Sequence, residues 1–220
     1  MEQALLLKDA TGCQVTAVTM GPPPAEGRLR ELLAMGADDA ILISAREFGG
    51  SDTCATAIII STALKKIGYD LVITGRQAID GDTAQVGPQI AENLGIPQVS
   101  YAEEVDIAGD VVTVKRQYED RYHLIDVKLP CLLTALQELA EPRYMHAGGI
   151  IDAYEKEVKV LGFDDLKDDL NPDFIGLNGS PTKVVTSFGK MAKGAGTKLE
   201  VGADEAVAAI IAKMEERHII

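Results

Sequence analysis

The apolar positions in the first third of the chain alternate between two kinds of spacing. Apolar residues three and four apart predict helices over residues 3–11, 25–35 and 53–67. Short apolar runs between them predict strands over residues 14–20, 40–43 and 70–74. Strands that alternate with helices are typical of right-handed βαβ units. The sequence therefore predicts an α/β fold, with a Rossmann-like parallel sheet and helices on both faces.

The pattern changes after Pro97. Alternation of apolar and polar residues predicts an antiparallel hairpin extension over residues 99–108, 111–119 and 122–127, followed by a strand at 131–135 and a short helical region at 148–158. From residue 164 a charged run and then a Gly-, Ser-, Pro- and Thr-rich stretch (residues 176–196) replace the periodic pattern. We expect an α/β domain over residues 1–163 and an extended arm over residues 164–220.

The end of the arm predicts one more helix, over residues 204–217, with an apolar face. That face needs a surface to bury against, which is a partner subunit or the same domain. A flexible tail is the alternative interpretation of the stretch that precedes the helix.

Composition excludes several functions. With 21 Lys and Arg against 34 Asp and Glu, the net charge is −13, which argues against nucleic acid or an anionic membrane as a partner. Apolar runs are too short for membrane insertion. The three cysteines and three histidines form no metal-ligand or redox motif, and the cysteine usage predicts a cytoplasmic protein. No catalytic constellation and no metal site are predicted.

The loop after the strand at 70–74 carries the candidate chemistry. Small residues between the end of a strand and the start of a helix leave backbone N–H groups free for an anion. Arg76, Thr83 and Gln85 add side-chain donors. Asp80 and Asp82 would repel a phosphate unless they cap the helix or bind a ribose hydroxyl, so a plainly capped helix is the alternative. Phosphate binding is the favoured interpretation.

The sequence of this loop resembles the nucleotide-binding loop of the electron transfer flavoprotein β subunit. It reads Gly-Arg-Gln-Ala-Ile-Asp-Gly-Asp-Thr-Ala-Gln-Val-Gly-Pro. Other segments resemble the same family in the same order, and they are Thr-Met-Gly-Pro (19–22), Ala-Met-Gly-Ala-Asp (34–38), Val-Lys-Arg (114–116), Leu-Pro-Cys-Leu-Leu-Thr (129–134) and Glu-Pro-Arg-Tyr (141–144). The resemblance covers essentially the whole chain and implies an adenine-nucleotide-binding type of α/β fold.

The resemblance also implies the site and its ligand. FAD, or AMP in the same site, would be held by Met20, Gly75, Arg76, Gln77, Ala78, Ile79, Asp80, Gly81, Asp82, Thr83, Ala84, Gln85 and Val86. The arm would dock on the α subunit. A partner acyl-CoA dehydrogenase would dock on Arg143, Tyr144, Met145, His146 and Ala147. No catalytic acid, base or nucleophile is implied, because flavin does the redox chemistry.

Two traits resemble the electron-bifurcating members of anaerobic bacteria. Gly81 would let the backbone pass close to a flavin ring, and the segment from Arg143 lacks the Leu-Pro of the mitochondrial type. NADH would then be the electron donor, with ferredoxin or flavodoxin as a low-potential acceptor. A Gly81 that merely suits a turn, in an AMP-binding member, is the alternative.

Met1-Glu2-Gln3 resembles the inside of the family's first helix. We therefore expect the family's first, central strand to be missing from this sequence, through a misplaced start codon or a truncated gene model. Two alternatives of other classes are a stand-alone adenine-nucleotide sensor and an ATP-pyrophosphatase enzyme of related fold. A flavin-containing heterodimer would separate the first interpretation from both.

Overall fold

The computed structural model describes residues 1–189, 194 and 196–220. These residues form two compact units, Met1–Lys183 and Val184–Ile220. Each unit is described by itself below. None of the described helices is long and apolar enough to cross a membrane.

The regular elements follow the predicted order. The helices are Glu2–Thr11 (α1), Glu26–Met35 (α2), Thr53–Ile67 (α3), Val86–Leu94 (α4), Ala147–Glu155 (α5), Phe163–Leu166 (α6), Gly176–Gly179 (α7) and Ala203–Glu216 (α8). The strands are Thr16–Met20 (β1), Asp39–Ile43 (β2), Leu71–Gly75 (β3), Gln98–Ala108 (β4), Val111–Gln117 (β5), Tyr122–Lys128 (β6), Cys131–Ala135 (β7) and Val158–Leu161 (β8). The sequence pattern missed β8, α6 and α7, all of which are short.

The strands form two sheets. The first is fully parallel, in the order β1-β2-β8. The second has the order β3-β7-β4-β5-β6, with parallel pairing from β3 to β4 and antiparallel pairing from β4 to β6. The α/β class and the antiparallel extension are thus confirmed. The parallel strands, however, are split, because no described strand pairs with the outer side of β1 or of β3.

Helices cover both faces of the first sheet. Ala40 and Leu42 of β2 pack against α2 and α5, in a cluster with Leu29 and Leu33. Ile41 and Ile43 point to the other face because successive side chains of a strand alternate. There they pack in a cluster that contains Ile59 and Ala63 of α3. The predicted placement of helices on both faces is confirmed for this sheet.

Helix α3 also supports the second sheet. Its Ala57 and Leu64 join Ile90 and Ala91 of α4 against Leu132 of β7. The opposite face of the second sheet forms a cluster of its own strands, built from Val99, Ala102, Val112, Val114, Val127, Cys131 and Leu133. The side chain of Asp52 caps α3 by accepting hydrogen bonds from the N–H groups of Cys54 (3.0 Å) and Ala55 (3.1 Å).

The first unit extends beyond residue 163, where the sequence pattern placed the end of the domain. Leu166, Leu170 and Ile175 are buried in the cluster of β2 and α3. Gly176 has a left-handed backbone (φ 63°), and a Cβ there would lie 2.3 Å from the carbonyl oxygen of Glu47. Only glycine fits this contact. The charged run after residue 163 therefore contributes apolar anchors to the core.

The unit Val184–Ile220 contains α8. Val207, Ile210 and Ile211 on this helix are 54%, 54% and 43% exposed. The predicted terminal helix with an apolar face is present. Within the stretch 176–196 that was predicted to be irregular, Lys190, Met191, Ala192, Lys193 and Ala195 lie outside the described residues.

Candidate functional site

The loop of residues 76–85 leaves the sheet at the carboxyl ends of its parallel strands. One row of paired residues crosses the second sheet at this level, and it consists of Gly75, Ala135, Ala102, Arg116 and His123. The N–H of Arg76 donates to the carbonyl of Ala135 at 3.1 Å, which fixes the start of the loop. Ligands of open α/β sheets bind at this edge.

The N-terminus of α4 has no side-chain cap. Gln85 occupies the cap position, but its Oε1 accepts a hydrogen bond from Thr53 of α3 (3.2 Å) instead of capping α4. The first turn of α4 contains no acidic residue. Its dipole and its orphan N–H groups are therefore not satisfied by the side chains of the described chain. The capped-helix alternative is wrong, and the helix start is suited to an anion.

Gly87 places this helix start directly against the strand ends. A Cβ on Gly87 would lie 2.6 Å from Oγ1 of Thr74 and 2.8 Å from Cγ2 of Thr134. The hydroxyl of Thr74 is buried and has no hydrogen-bond partner in the described chain. Buried polar atoms without partners are uncommon and call for an explanation. The Thr74 hydroxyl packs directly against Gly87, so the strand ends hold the start of α4 in place.

The two aspartates of the loop act within the loop. Asp80 accepts a hydrogen bond from the N–H of Gly81 (2.9 Å), and Asp82 accepts one from the side-chain amide of Gln77. The N–H of Asp82 donates to the carbonyl of Ala78 at 3.0 Å. Asp82 and Ala84 adopt left-handed backbone angles (φ 53° and 54°). The aspartates therefore shape the turn and do not cap α4.

Several loop side chains remain open to solvent. Ile79 is fully exposed, and Thr83 is exposed as well. Nε of Arg76 donates to Oε1 of Gln77 at 2.7 Å, and the guanidinium forms no ion pair among the described residues. Arg76 is thus a cation that remains available to a bound anion.

Met20 lies at the carboxyl end of β1, in the first sheet. It packs against the cluster of Ile41, Ile43 and Ile59. Among the described residues it shares neither a hydrogen bond nor a hydrophobic cluster with the loop. The structure thus places Met20 at a strand end equivalent to that of Gly75, but on the other sheet.

The residues expected to dock a dehydrogenase have different surroundings. Arg143 pairs with the carboxylates of Glu2 (2.7 Å) and Asp9 (2.8 Å) on α1. His146 caps α5, because its Nδ1 accepts a hydrogen bond from the N–H of Gly149 at 2.9 Å. Met145 is 43% exposed and Tyr144 is 98% exposed, so Tyr144 does not pack in the core.

The ion pairs of Arg143 shift two titrations. The hydrogen bond from Arg143 lowers the pKa of the Glu2 carboxyl, against the opposing effect of burial. Hydrogen bonds to Glu2 and Asp9 raise the pKa of Arg143 above its usual value. The pair ties this segment to the first helix as a charged, partly buried contact.

Sequence reasoning missed a group of cations and aromatic rings beside the loop. The guanidinium carbons of Arg76 and Arg116 lie 5.5 Å and 5.8 Å from the centre of the Tyr101 ring. Arg116 also lies 4.8 Å from the ring centre of Tyr118. In the sequence, the Val-Lys-Arg segment (114–116) indicates only a family resemblance and no contact of Arg116 with the loop. Nothing in the local pattern predicts that Tyr101 meets Arg76 from another strand.

The comparisons with known proteins identify the family of the chain. The sequence model of the electron transfer flavoprotein domain matches residues 1–166. The acryloyl-CoA reductase electron transfer subunit gamma of Anaerotignum propionicum is 56% identical over 226 residues, which cover 100% of this chain and 85% of that protein. The electron transfer flavoprotein subunit beta of Clostridium acetobutylicum is 50% identical over 220 residues, with 100% and 84% covered.

A third relative is similar to the chain over its whole length. The caffeyl-CoA reductase-Etf complex subunit CarD of Acetobacterium woodii is 49% identical over 223 residues, which cover 100% of this chain and 84% of that protein. These matches confirm the resemblance found in the sequence. The chain belongs to the electron transfer flavoprotein family.

Proposed function

We propose that this chain is the β subunit of a heterodimeric electron transfer flavoprotein and that the loop of residues 75–86 binds the phosphate portion of an adenine nucleotide. The uncapped start of α4 carries the proposal. Around it lie the donor types that a phosphate needs, namely backbone N–H groups, the guanidinium of Arg76 and the hydroxyl of Thr83. The buried, unpartnered hydroxyl of Thr74 lies beside the same helix start.

FAD is the ligand that we propose for this loop. Gly81 has open space around the position of a Cβ, so a ring could approach its backbone. Ile79 offers a fully exposed apolar side chain on the same loop. When bound, FAD would supply the redox chemistry, and this chain would supply binding and electrostatics.

The names of the relatives support a bifurcating role. One relative is a subunit named for acryloyl-CoA reductase, and another belongs to a caffeyl-CoA reductase-Etf complex. We propose that NADH is the electron donor, and that an acyl-CoA dehydrogenase and a ferredoxin or flavodoxin are the acceptors.

AMP in a structural role is the second candidate. Residues 76–86 contain no aromatic side chain that could stack on a flavin ring. The hydrogen bonds within the loop, from Gln77 to Asp82 and from Gly81 to Asp80, would help it keep its shape around a small ligand. In that case the chain would serve a single-flavin electron carrier.

Two surfaces are proposed for the protein partners. The exposed apolar face of α8, formed by Val207, Ile210 and Ile211, would bury against the α subunit. Tyr144 would contact the dehydrogenase, since an exposed tyrosine is typical of interface hot spots. Arg143 would support this contact indirectly, by fixing the segment to α1 through Glu2.

The first experiment is to co-express the chain with its α subunit and count the nucleotides released by acid. Two FAD and no AMP per heterodimer would support FAD in this loop. One FAD and one AMP would support the second candidate. A stable lone subunit without flavin would overturn both and favour a nucleotide sensor.

A matched pair of variants assigns the nucleotide to the loop. Thr83→Val removes a hydroxyl donor from the loop, and we expect it to lower the nucleotide content of the heterodimer. Thr113→Val removes a half-buried threonine hydroxyl on β5, which bonds Asp126 (2.7 Å) three residues before Arg116, and should leave that content unchanged. Equal nucleotide loss in both variants would contradict the assignment.

A further inference from the structure

Two arginines share one tyrosine ring at the edge of the second sheet. The guanidinium carbon of Arg76 lies 5.5 Å, and that of Arg116 5.8 Å, from the ring centre of Tyr101. Tyr118 lies on the far side of this group, with its ring centre 4.8 Å from Arg116. The group thus joins the start of the 75–86 loop to the end of β5.

The charge of this group is unbalanced. Neither Arg76 nor Arg116 forms an ion pair with any carboxylate in the described part of the chain. Nε of Arg116 is buried and has no hydrogen-bond partner there either. The chain has 34 acidic against 21 basic residues, so carboxylates are plentiful. A buried N–H of a guanidinium that is left without an acceptor is costly, and an anion supplied from outside would satisfy it.

The position of Arg116 supports the same conclusion. Arg116 follows Val112 and Val114 on one face of β5, and both valines are fully buried. It pairs with Ala102 in the row that ends at Gly75. The row between them contains only the small residues Ala102 and Ala135. Ala102 is itself fully buried in the cluster of this sheet, so strand pairing places Arg116 in the same row as the start of the loop with no large residue in the paired positions between them.

The backbone of Tyr101, whose ring both arginines contact, has an unusual conformation. Tyr101 has φ 58°, in the left-handed region that aromatic residues seldom adopt. Its N–H donates to Oγ1 of Thr134 at 3.0 Å, where the pairing register of β4 shifts. Such strain persists where the surroundings impose it, and it is concentrated at functional sites.

We propose that Arg76 and Arg116, spaced by the ring of Tyr101, form a two-cation site for a phosphoanion, and that Arg116 is a further affinity-determining residue of the nucleotide site. This inference rests on the proposed function, and it adds a residue from β5 to a site assigned so far to the loop alone. The ligand class is a phosphate or pyrophosphate group. Asp80 and Asp82 lie in the same loop, but their hydrogen bonds to Gly81 and Gln77 engage them locally.

A purely structural role for Arg116 predicts a different outcome. If stacking on Tyr101 and Tyr118 were its purpose, Arg116→Gln would lower the melting temperature of the ligand-free protein and leave phosphate affinity unchanged. If Arg116 instead serves to bind an anion, its removal from the ligand-free protein eliminates the cost of an unpaired charge. The melting temperature would then stay equal or rise, and phosphate affinity would fall.

The test titrates the full chain, freed of nucleotide, with inorganic pyrophosphate, AMP and adenosine by calorimetry. We expect Arg116→Gln to lower the affinity for pyrophosphate and for AMP about tenfold or more, because hydrogen bonds between charged groups are lost. Adenosine, which has no phosphate, should bind equally to both proteins. Arg116→Lys should recover part of the affinity, because it restores the charge without the planar fork. Arg28→Gln, which breaks the exposed pair with Glu31, is the matched control.

The outcomes separate this inference from the proposed function. If Arg116→Gln binds nucleotide as tightly as the wild type, the inference is overturned and the proposed function is unaffected. Pyrophosphate binding that depends on Arg116, without binding of AMP or FAD, supports the inference and overturns the function. If Arg116→Gln does not fold, or the chain does not stay soluble alone, Arg76→Gln in the heterodimer carries the same prediction. Nucleotide retained there at wild-type content would overturn the two-cation site.

Discussion

The contact between Gly87 and the strand ends gives the sharpest prediction. Gly87→Ala places a Cβ 2.6 Å from Oγ1 of Thr74 and 2.8 Å from Cγ2 of Thr134. Overpacking of this kind costs about 1–3 kcal/mol. Alanine also favours a helix over glycine by roughly 0.8–1 kcal/mol, which offsets part of that cost. Because both contacts are shorter than 3.0 Å, we expect the upper half of the overpacking range, about 2–3 kcal/mol, and hence a net loss of about 1–2 kcal/mol of unfolding free energy.

The surroundings explain why the clash is not relieved cheaply. Thr134 is held by the hydrogen bond from Tyr101 to its Oγ1 (3.0 Å), so rotation of this side chain would break that bond. The helix start must shift instead, by a few tenths of an ångström. Because the start of α4 is the proposed phosphate site, nucleotide affinity should fall together with stability.

The assay is calorimetric unfolding combined with AMP titration. At roughly 2–4 °C per kcal/mol for a domain of this size, Gly87→Ala should lower the melting temperature by about 2–8 °C. Gly81→Ala is the control, since nothing lies within 4 Å of its added Cβ, and its stability should change by less than about 0.5 kcal/mol. A Gly87→Ala protein with the stability and affinity of the wild type would refute the reasoning.

A double variant localises the effect. Thr134→Ser removes Cγ2 but keeps the Oγ1 that accepts from Tyr101. Gly87→Ala combined with Thr134→Ser should therefore lose less stability than the two single changes added together. Strict additivity would mean that the cost of Gly87→Ala arises elsewhere.

Three further predictions concern other contacts. Glu2→Gln should lower the free energy of unfolding by about 1.5–3 kcal/mol at pH 7, because it weakens the pair with Arg143. The pKa of Glu2 in the folded protein is below its ordinary 4.5, so the stability advantage of the wild type is complete above pH 4.5 and disappears as the pH falls through the lowered pKa. Urea melts of both proteins at pH 7 and pH 3 measure this difference. Asp52→Ala should lower the free energy of unfolding by about 0.5–2 kcal/mol because it uncaps α3. Loss of the hydrogen bonds that Asp52 accepts from Thr182 adds to this cost. Equal chemical denaturation midpoints for the variant and the wild type would contradict this. Tyr144→Ala should leave the melting temperature unchanged, since the side chain is 98% exposed, but slow reduction of the partner dehydrogenase in a coupled assay.

Periodicity predicted most of the elements because most of them bury one clear apolar stripe or face. It missed β8, a strand of only four residues in which both Lys159 and the apolar Val160 are exposed. It also ended the domain too early for the core that the structure shows. Leu166 and Leu170 are anchors separated by charged residues, and their burial depends on the long-range contact with Ile59.

The loop was found from its sequence, but the chemistry around it was not. Asp80 and Asp82 are candidate caps of α4 in the sequence, whereas in the structure they accept hydrogen bonds within the loop. Whether a polar side chain caps a helix or braces a turn depends on backbone angles that a single sequence does not reveal. Arg116 joins the loop only through strand pairing, which brings residues 76, 101 and 116 together.

Helix α3 has a consequence for how the first unit unfolds. Its Ile59 and Ala63 lie in the core of the first sheet, its Ala57 and Leu64 lie in the core of the second, and Ile60 touches both clusters. The two sheets have no strand pair in common. Cooperativity between the two halves therefore depends on this helix. Its central amides should exchange hydrogen only through global opening, whereas amides on the unpaired sides of β1 and β3 should exchange through local fluctuations.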